Sequence, residues 1–128
     1  MISADGRKRL GRIVRVRVAE RSAAAARLAQ SCAAQHRLLS VADRASAILA
    51  DSATRGETGN ADALIRFVSF RVALAQVAAS TASNASHADR QVLAARQALA
   101  AAQKRLDHSQ ERLADADRTA AAQDGAAG

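Results

Sequence analysis

The sequence has little of the material from which compact globular domains are built. Its 128 residues include no proline, no tryptophan and no tyrosine, and only two phenylalanines and one cysteine. The scarcity of aromatic residues argues against a large globular core. The single cysteine, Cys32, excludes an internal disulfide and suits a reducing compartment. No uninterrupted apolar run approaches 18 residues, so we expect no segment that spans a membrane.

Alanine supplies most of the apolar residues that are present. It has the highest helix propensity of the amino acids, about 1 kcal/mol per residue better than glycine. Its methyl group nevertheless buries little surface when helices pack. The composition therefore predicts long helices held together by thin contacts.

Positive charge is concentrated at the beginning of the chain. The formal net charge is +7, and residues 1–27 carry eight basic and two acidic side chains. Such a cluster implies an acidic partner, which could be nucleic acid, an anionic membrane surface or an acidic protein groove. Charge alone does not choose among these three.

The most regular apolar spacing lies in the stretch from Val92 to Leu113. Counted in steps of three and four, its seam is Val92, Ala95, Leu99, Ala102, Leu106, Ser109 and Leu113, and it extends backwards without a register shift to Leu64. An amphipathic helix with such a stripe must bury it against a second helix. In the first half of the chain a matching seam runs through Val14, Val18, Arg21, Ala25, Leu28, Cys32, Gln35, Leu39, Ala42, Ser46 and Leu49.

These seams predict an all-α fold, an antiparallel two-helix coiled coil in the form of a long helical hairpin. We expect a flexible N-terminus over residues 1–6, helices over 7–53 and 61–122, a turn over 54–60 and a disordered tail over 123–128. Ser3 or Asp5 can cap the first helix, Gly56 suits the position after its end, and Asn60 can cap the second.

A short turn forces the helices antiparallel, so residues whose numbers add up to about 115 should be level. The best-packed end is then the end near the turn. Leu106 and Leu113 run past the start of the first helix and are partly uncovered. The predicted core of the hairpin consists of Leu28, Leu39, Leu49, Leu64, Phe67, Leu74, Val92 and Leu99.

Residues 78–88 contain almost no large apolar side chain. Serine and asparagine compete with the helix by bonding their own backbone. We predict a continuous but thin helix here, and a break in the second helix stays open as an alternative.

Few residues offer catalytic or metal chemistry. Cys32 and His36 share a helical face, and His87 and Asp89 could approach them, but a small buried thiol and two surface histidines explain the pattern better. Two helices enclose no cavity that would desolvate a catalytic group. We therefore predict no enzyme, no metal site and no cofactor.

Nucleic-acid binding is the strongest physical alternative for the basic segment. Arg7, Lys8, Arg9, Arg12, Arg15 and Arg17 could contact several phosphates. No aromatic residue is interleaved for stacking on bases, however, and no recognition helix follows a short turn. A solvated basic face is favoured over contact with DNA or RNA.

Three stretches of the chain resemble the FliJ family of flagellar type III export proteins. They are RKRLGRIVRVRVAERSAAAARLA, ADALIRFVSFRVALAQV and ARQALAAAQKRLDHSQERLADADR. The family typically shows Leu-x-Arg-x-Leu or Val-Arg and then Glu and alanine repeats, and later an Arg or Lys before a Glu-x-Leu pair. The matching residues here are Leu10, Arg12, Val14, Arg15, Arg17 and Glu20, and more loosely Lys104, Arg105, Leu106, Glu111, Arg112 and Leu113.

The resemblance implies a coiled-coil stalk that inserts into the hexameric export ATPase, contacts the export gate membrane protein and escorts export chaperones. It implies a cytoplasmic protein, peripheral to the inner membrane at the flagellar base. The related stalk proteins of virulence secretion systems are one alternative, and a basic structural coiled-coil protein is another. The candidate partner-binding residues are Arg12, Arg15, Arg17, Lys104, Arg105, Leu106, Glu111, Arg112 and Leu113.

Overall fold

Two long α-helices form the fold. The structure is a computed structural model that describes residues 3–54 and 60–127. Helix α1 comprises Ala4–Thr54 and helix α2 comprises Ala61–Ala127. The two helices pack against each other, and the described residues contain no strand. The predicted all-α helical hairpin is confirmed.

Side-chain caps define where both helices begin. The Ser3 hydroxyl accepts a hydrogen bond from the Gly6 amide at 3.1 Å, and the Arg7 amide donates to the Ser3 carbonyl at 3.0 Å. Because Ser3 is the cap, α1 begins at Ala4, three residues before the predicted start. The Asn60 side chain accepts from the Ala63 amide at 2.8 Å, which confirms the predicted cap of α2.

The helix ends differ from those predicted from the sequence. Helix α2 runs to Ala127, so the predicted disordered tail over 123–128 is helical through residue 127. Alanines and Gln123 favour helix there, and no proline intervenes. Thr54, placed in the turn, belongs to α1, and the rest of the predicted turn before Asn60, Gly56 included, lies outside the described residues. Helix α2 is continuous through residues 78–88.

The hairpin divides into two units, and each contains a part of both helices. Unit 1 comprises residues 1–29 and 94–128, and unit 2 comprises residues 30–93. Unit 1 carries 13 basic and seven acidic residues, whereas unit 2 carries six and five. Nearly all of the net positive charge therefore belongs to unit 1.

The side of α2 that faces α1 follows the seam read from the sequence. From Phe67 to Leu113 every seam position is buried or half-buried, and the same spacing continues to Ala116 and Ala120. Most of the well-buried members are small. Those with the lowest exposure are Thr81, Ala85, Ala88, Val92, Ala102, Leu106, Ser109 and Ala116.

The predicted seam of α1 consists of two columns of residues, each with a spacing of seven along the helix. One of these columns is wrong by one residue. Four members of the predicted column, Val18, Ala25, Leu39 and Ser46, are exposed. One residue is a rotation of roughly 100° around a helix, so a shift by one turns a side chain off the interface. The observed column is buried or half-buried throughout and consists of Leu10, Arg17, Ala24, Ser31, Leu38, Ala45 and Ser52.

Contacts between the helices also correct the predicted register. In unit 1, Arg7 pairs with Asp117 and Glu20 with Arg105, and in unit 2 Gln35 donates to Asp89. The numbers in these pairs add up to 124 or 125 instead of about 115. Helix α1 therefore lies level with α2 residues about nine positions later than a tight turn would give.

This register explains two corrections to the predicted core. Leu64, 53% exposed, would be level with residue 60, past the end of α1, so no α1 side chain covers it. Leu39 is exposed because Leu38 occupies the interface position beside it. The other predicted core residues are buried or half-buried, namely Leu28, Leu49, Phe67, Leu74, Val92 and Leu99.

Unit 2 exposes most of its large apolar side chains. Ile65 is 63% exposed, and the described part of unit 2 holds ten of the twelve large hydrophobic residues that are exposed in the described chain. The prediction that the turn end packs best is therefore wrong. Between Ala61 and Ala126, α2 also contains an 18-residue stretch with mean hydropathy 1.4, which satisfies the length and composition of a membrane span against our expectation. None of that stretch is buried in the structure.

Candidate protein-docking surface

A row of basic side chains runs along the solvent side of α1 in unit 1. Lys8, Arg12 and Arg15 are spaced by four and three residues, so they lie on one helical face. All three are exposed, and within the described residues none has an ion pair or a hydrogen bond. We call these three residues the basic stripe.

An apolar strip lies directly beside the basic stripe. Ile13 and Val16 line a shallow groove of about 280 Å³ together with Arg9, Arg12 and Arg17. Val16 is exposed although it is a large hydrophobic residue. The surface therefore combines cations with an apolar contact area, which suits a protein partner better than bare phosphates.

Glu20 holds two of the predicted partner-binding arginines. The Arg17 guanidinium donates to both Glu20 carboxylate oxygens, at 3.0 and 3.3 Å. From α2, Nε of Arg105 lies 3.7 Å from the same carboxylate. Nε of Arg17 has no hydrogen-bond partner among the described residues. Arg105 thus joins the two helices of unit 1 through Glu20, and Arg17 is engaged within α1. Arg12 and Arg15 are free to bind a partner.

The predicted partner-binding residues of α2 fall into two groups. Lys104, Glu111 and Arg112 are exposed, as a docking surface requires. Leu106 is only 3% exposed, and Leu113 is half-buried. The proposed uncovering of Leu106 is wrong because the observed register places it level with the middle of the α1 part of unit 1, not beyond its start.

The residues considered for metal binding do not converge. The described residues contain no group of three Cys, His, Asp or Glu side chains that could hold a metal ion. Asp89 accepts a hydrogen bond from Gln35 at 2.5 Å. His87 and Gln91 lie 3.4 Å apart through their side-chain nitrogens. Cys32 is a half-buried free thiol.

Sequence reasoning missed a second surface of unit 1. A groove of about 540 Å³ lies between α1 and α2, and its lining includes Arg21 and Arg96. Arg21 was assigned to the seam, and Arg96 was given no role. The repeated seam could not reveal the groove, because it depends on which α2 residues are level with Arg21.

Comparisons with known proteins add no relative. No family model, no curated protein and no solved structure matches this chain. The likeness to the FliJ family therefore rests on the residues quoted above. The basic stripe and the grooves of unit 1 are independent of that likeness.

Proposed function

We propose that this protein is a stalk-like component of a type III protein export apparatus, which docks the basic stripe of unit 1 onto an acidic surface of the export ATPase ring. In this role it has no catalytic activity of its own. It contacts the export gate and escorts export chaperones at the cytoplasmic side of the inner membrane. Flagellar export is the primary form of the proposal, and virulence secretion is its alternative.

The observation that carries the proposal is the unpaired state of the basic stripe. Lys8, Arg12 and Arg15 project from a helix whose other side is packed against α2, so they are held in a fixed spacing without an internal counter-charge. Surface cations in this arrangement steer association with an acidic partner and set its orientation. The helical hairpin and the FliJ-like residues around Arg12 and Arg15 agree with this function.

Charge reversal within the basic stripe tests the proposal. The variant Arg12→Glu/Arg15→Glu should lose most of the stimulation of ATP hydrolysis by the purified export ATPase from the same organism. The matched control is Arg37→Glu/Arg44→Glu, which lowers the net charge equally through exposed arginines of unit 2. Far-UV circular dichroism must show equal helicity in both variants. Full stimulation by the Arg12/Arg15 variant would contradict the proposal.

Nucleic-acid binding is the second candidate function, and the same unpaired stripe is what favours it. Both phenylalanines, Phe67 and Phe70, belong to unit 2, so unit 1 offers no aromatic side chain for stacking on bases. Binding to a labelled DNA duplex, measured across a salt series, separates the two functions. Specific capture of DNA at physiological salt that is lost in Arg12→Glu/Arg15→Glu would favour the nucleic-acid function over export.

A further inference from the structure

The groove between α1 and α2 in unit 1 has an apolar floor. Leu28 of α1 and Leu99 of α2 are half-buried within it, and Ala25 and Ala100 flank them on the exposed side. The small alanines permit a close approach from solvent. A groove of this kind, between two packed helices, matches the surface on which a third amphipathic helix lays its apolar face.

Two arginines border this apolar floor from opposite helices. Arg21 comes from α1 and Arg96 from α2, and both are exposed. Among the described residues neither has an ion pair or a hydrogen bond, and no carboxylate lines the groove. Glu20, the acidic neighbour of Arg21, is already engaged by Arg17 and Arg105. The charge of the groove is therefore uncompensated.

The register separates the two arginines along the groove. Arg96 is level with Leu28, seven residues after Arg21 on α1, which corresponds to about two helical turns or roughly 10 Å. An occupant must therefore present two negative charges on opposite edges of an apolar stripe, about two turns apart. We name the site formed by Arg21, Ala25, Leu28, Arg96, Leu99 and Ala100 the arginine groove.

We propose that the arginine groove binds an amphipathic helix of an acidic partner protein, whose leucine-type side chains cover Leu28 and Leu99 and whose carboxylates pair with Arg21 and Arg96. A nucleic acid fits less well, because its phosphate backbone has no apolar face to cover the leucines. A second copy of this chain fits less well too, because its own unit 1 has a net charge of +6. The site is separate from the basic stripe, and the inference does not depend on the export function.

A designed peptide tests this inference with the intact protein. The probe is a labelled amphipathic peptide of about 20 residues, long enough to form a stable helix. It carries leucine and alanine on one face and glutamates on both edges, two turns apart. Fluorescence anisotropy should detect binding, and replacing the glutamates by glutamine should weaken it roughly tenfold or more.

Charge reversal on the protein gives the sharper test. The variant Arg21→Glu/Arg96→Glu should no longer bind the glutamate peptide. It should instead bind the same peptide with lysines in place of the glutamates. The control variant Arg27→Glu/Arg90→Glu removes the same charge from exposed positions outside the groove and should keep the original preference. Filling the groove by Ala100→Phe should abolish binding of both peptides while far-UV circular dichroism stays unchanged.

Four outcomes would overturn the inference. The first is no binding of the glutamate peptide by the unmodified protein. The second is an equal loss in the Arg27/Arg90 control, which would show a general charge effect. The third is that a DNA oligonucleotide competes with the peptide and that Arg21→Glu/Arg96→Glu no longer binds this oligonucleotide, which would assign the groove to nucleic acid. The fourth is a dimer, detected by sedimentation, that dissociates in the same variant.

Discussion

Unit 1 and unit 2 are built from the same two helices, yet they divide their large side chains in opposite ways. In unit 1, Leu10 and Leu106 are nearly inaccessible, and ion pairs join the helices at Arg7 and Glu20. In unit 2 the well-buried residues are mainly small, while large residues such as Ile65 and Val68 face solvent. The comparison shows that the same regular seam encloses leucines almost completely in unit 1 and mainly small residues in unit 2.

The small size of the buried seam residues offers an explanation for the exposure of the large ones. Where a seam is lined by residues as small as Ala45, Ala85 and Ala88, the helices can pack closely, and side chains on either flank are left outside. The stripe Leu64, Val68 and Val72 repeats every four residues on α2 and is more than half exposed, although Val68 and Val72 line a groove together with Leu49 of α1. Unit 2 thus has a second apolar face that its own partner helix does not cover.

Truncation of a core leucine should give the largest difference between the units. Leu106→Ala removes a side chain that is 3% exposed and should lower the free energy of unfolding by roughly 2–4 kcal/mol. Leu64→Ala, at a position that is 53% exposed, should change it by less than about 0.5 kcal/mol. Urea unfolding followed by far-UV circular dichroism measures both. Equal losses would show that the two leucines are buried alike in solution.

The sequence predicts the helices and the α2 seam well because both depend on local periodicity. It also predicts the Asn60 cap, which needs only a suitable side chain before a helix. The α1 column was misassigned at Val18 because valine is more apolar than Arg17, which the structure places inward, whereas Leu38 and Leu39 are equally apolar and give no signal. In an alanine-rich seam, hydrophobicity discriminates weakly between adjacent columns.

The register is the part of the fold that no local pattern contains. The predicted register assumed that residues on both sides of a tight turn are level. The observed pairs are shifted from that register by about nine residues. The burial of Leu106 depends on this offset, and so does the position of Arg21 and Arg96 along the same groove. Both could be found only once the contact between Glu20 and Arg105 was known.

A glycine inside α1 offers the next largest effect, and in the opposite direction. Apart from the neighbouring residues and backbone of α1 itself, no atom lies within 4 Å of the position that a Cβ at Gly11 would occupy. Gly11→Ala should therefore raise the free energy of unfolding by roughly 0.5–1 kcal/mol, because alanine restricts the unfolded chain and favours helix. Thermal unfolding compares it with Gly125→Ala near the end of α2, where fraying should make the gain smaller. A loss of stability in Gly11→Ala would show that α2 approaches α1 more closely there.

The ion pairs that distinguish unit 1 should contribute less than its leucines. Glu20→Gln removes the acceptor shared by Arg17 and Arg105, but these groups are a third to a half exposed, so the loss should stay below about 1 kcal/mol. Added salt should lower the free energy of unfolding of the unmodified protein toward that of the variant, since the pairs are partly solvated. A salt-independent loss larger than that of Leu106→Ala would mean that charge, not burial, holds unit 1 together.

The smallest effect on folding is expected on the uncovered face of unit 2. The variant Ile65→Ser/Val68→Ser alters side chains that are 63% and 52% exposed, so the free energy of unfolding should change little. Because exposed apolar patches promote association, the unmodified protein should self-associate as its concentration rises, and the variant should do so less. Sedimentation velocity over a concentration series measures this. A matched variant in unit 1, Val16→Ser/Val18→Ser, should leave association unchanged, because unit 1 has net charge +6 and repels its copy. Equal reduction by both pairs would show that the uncovered apolar surface is not specific to unit 2.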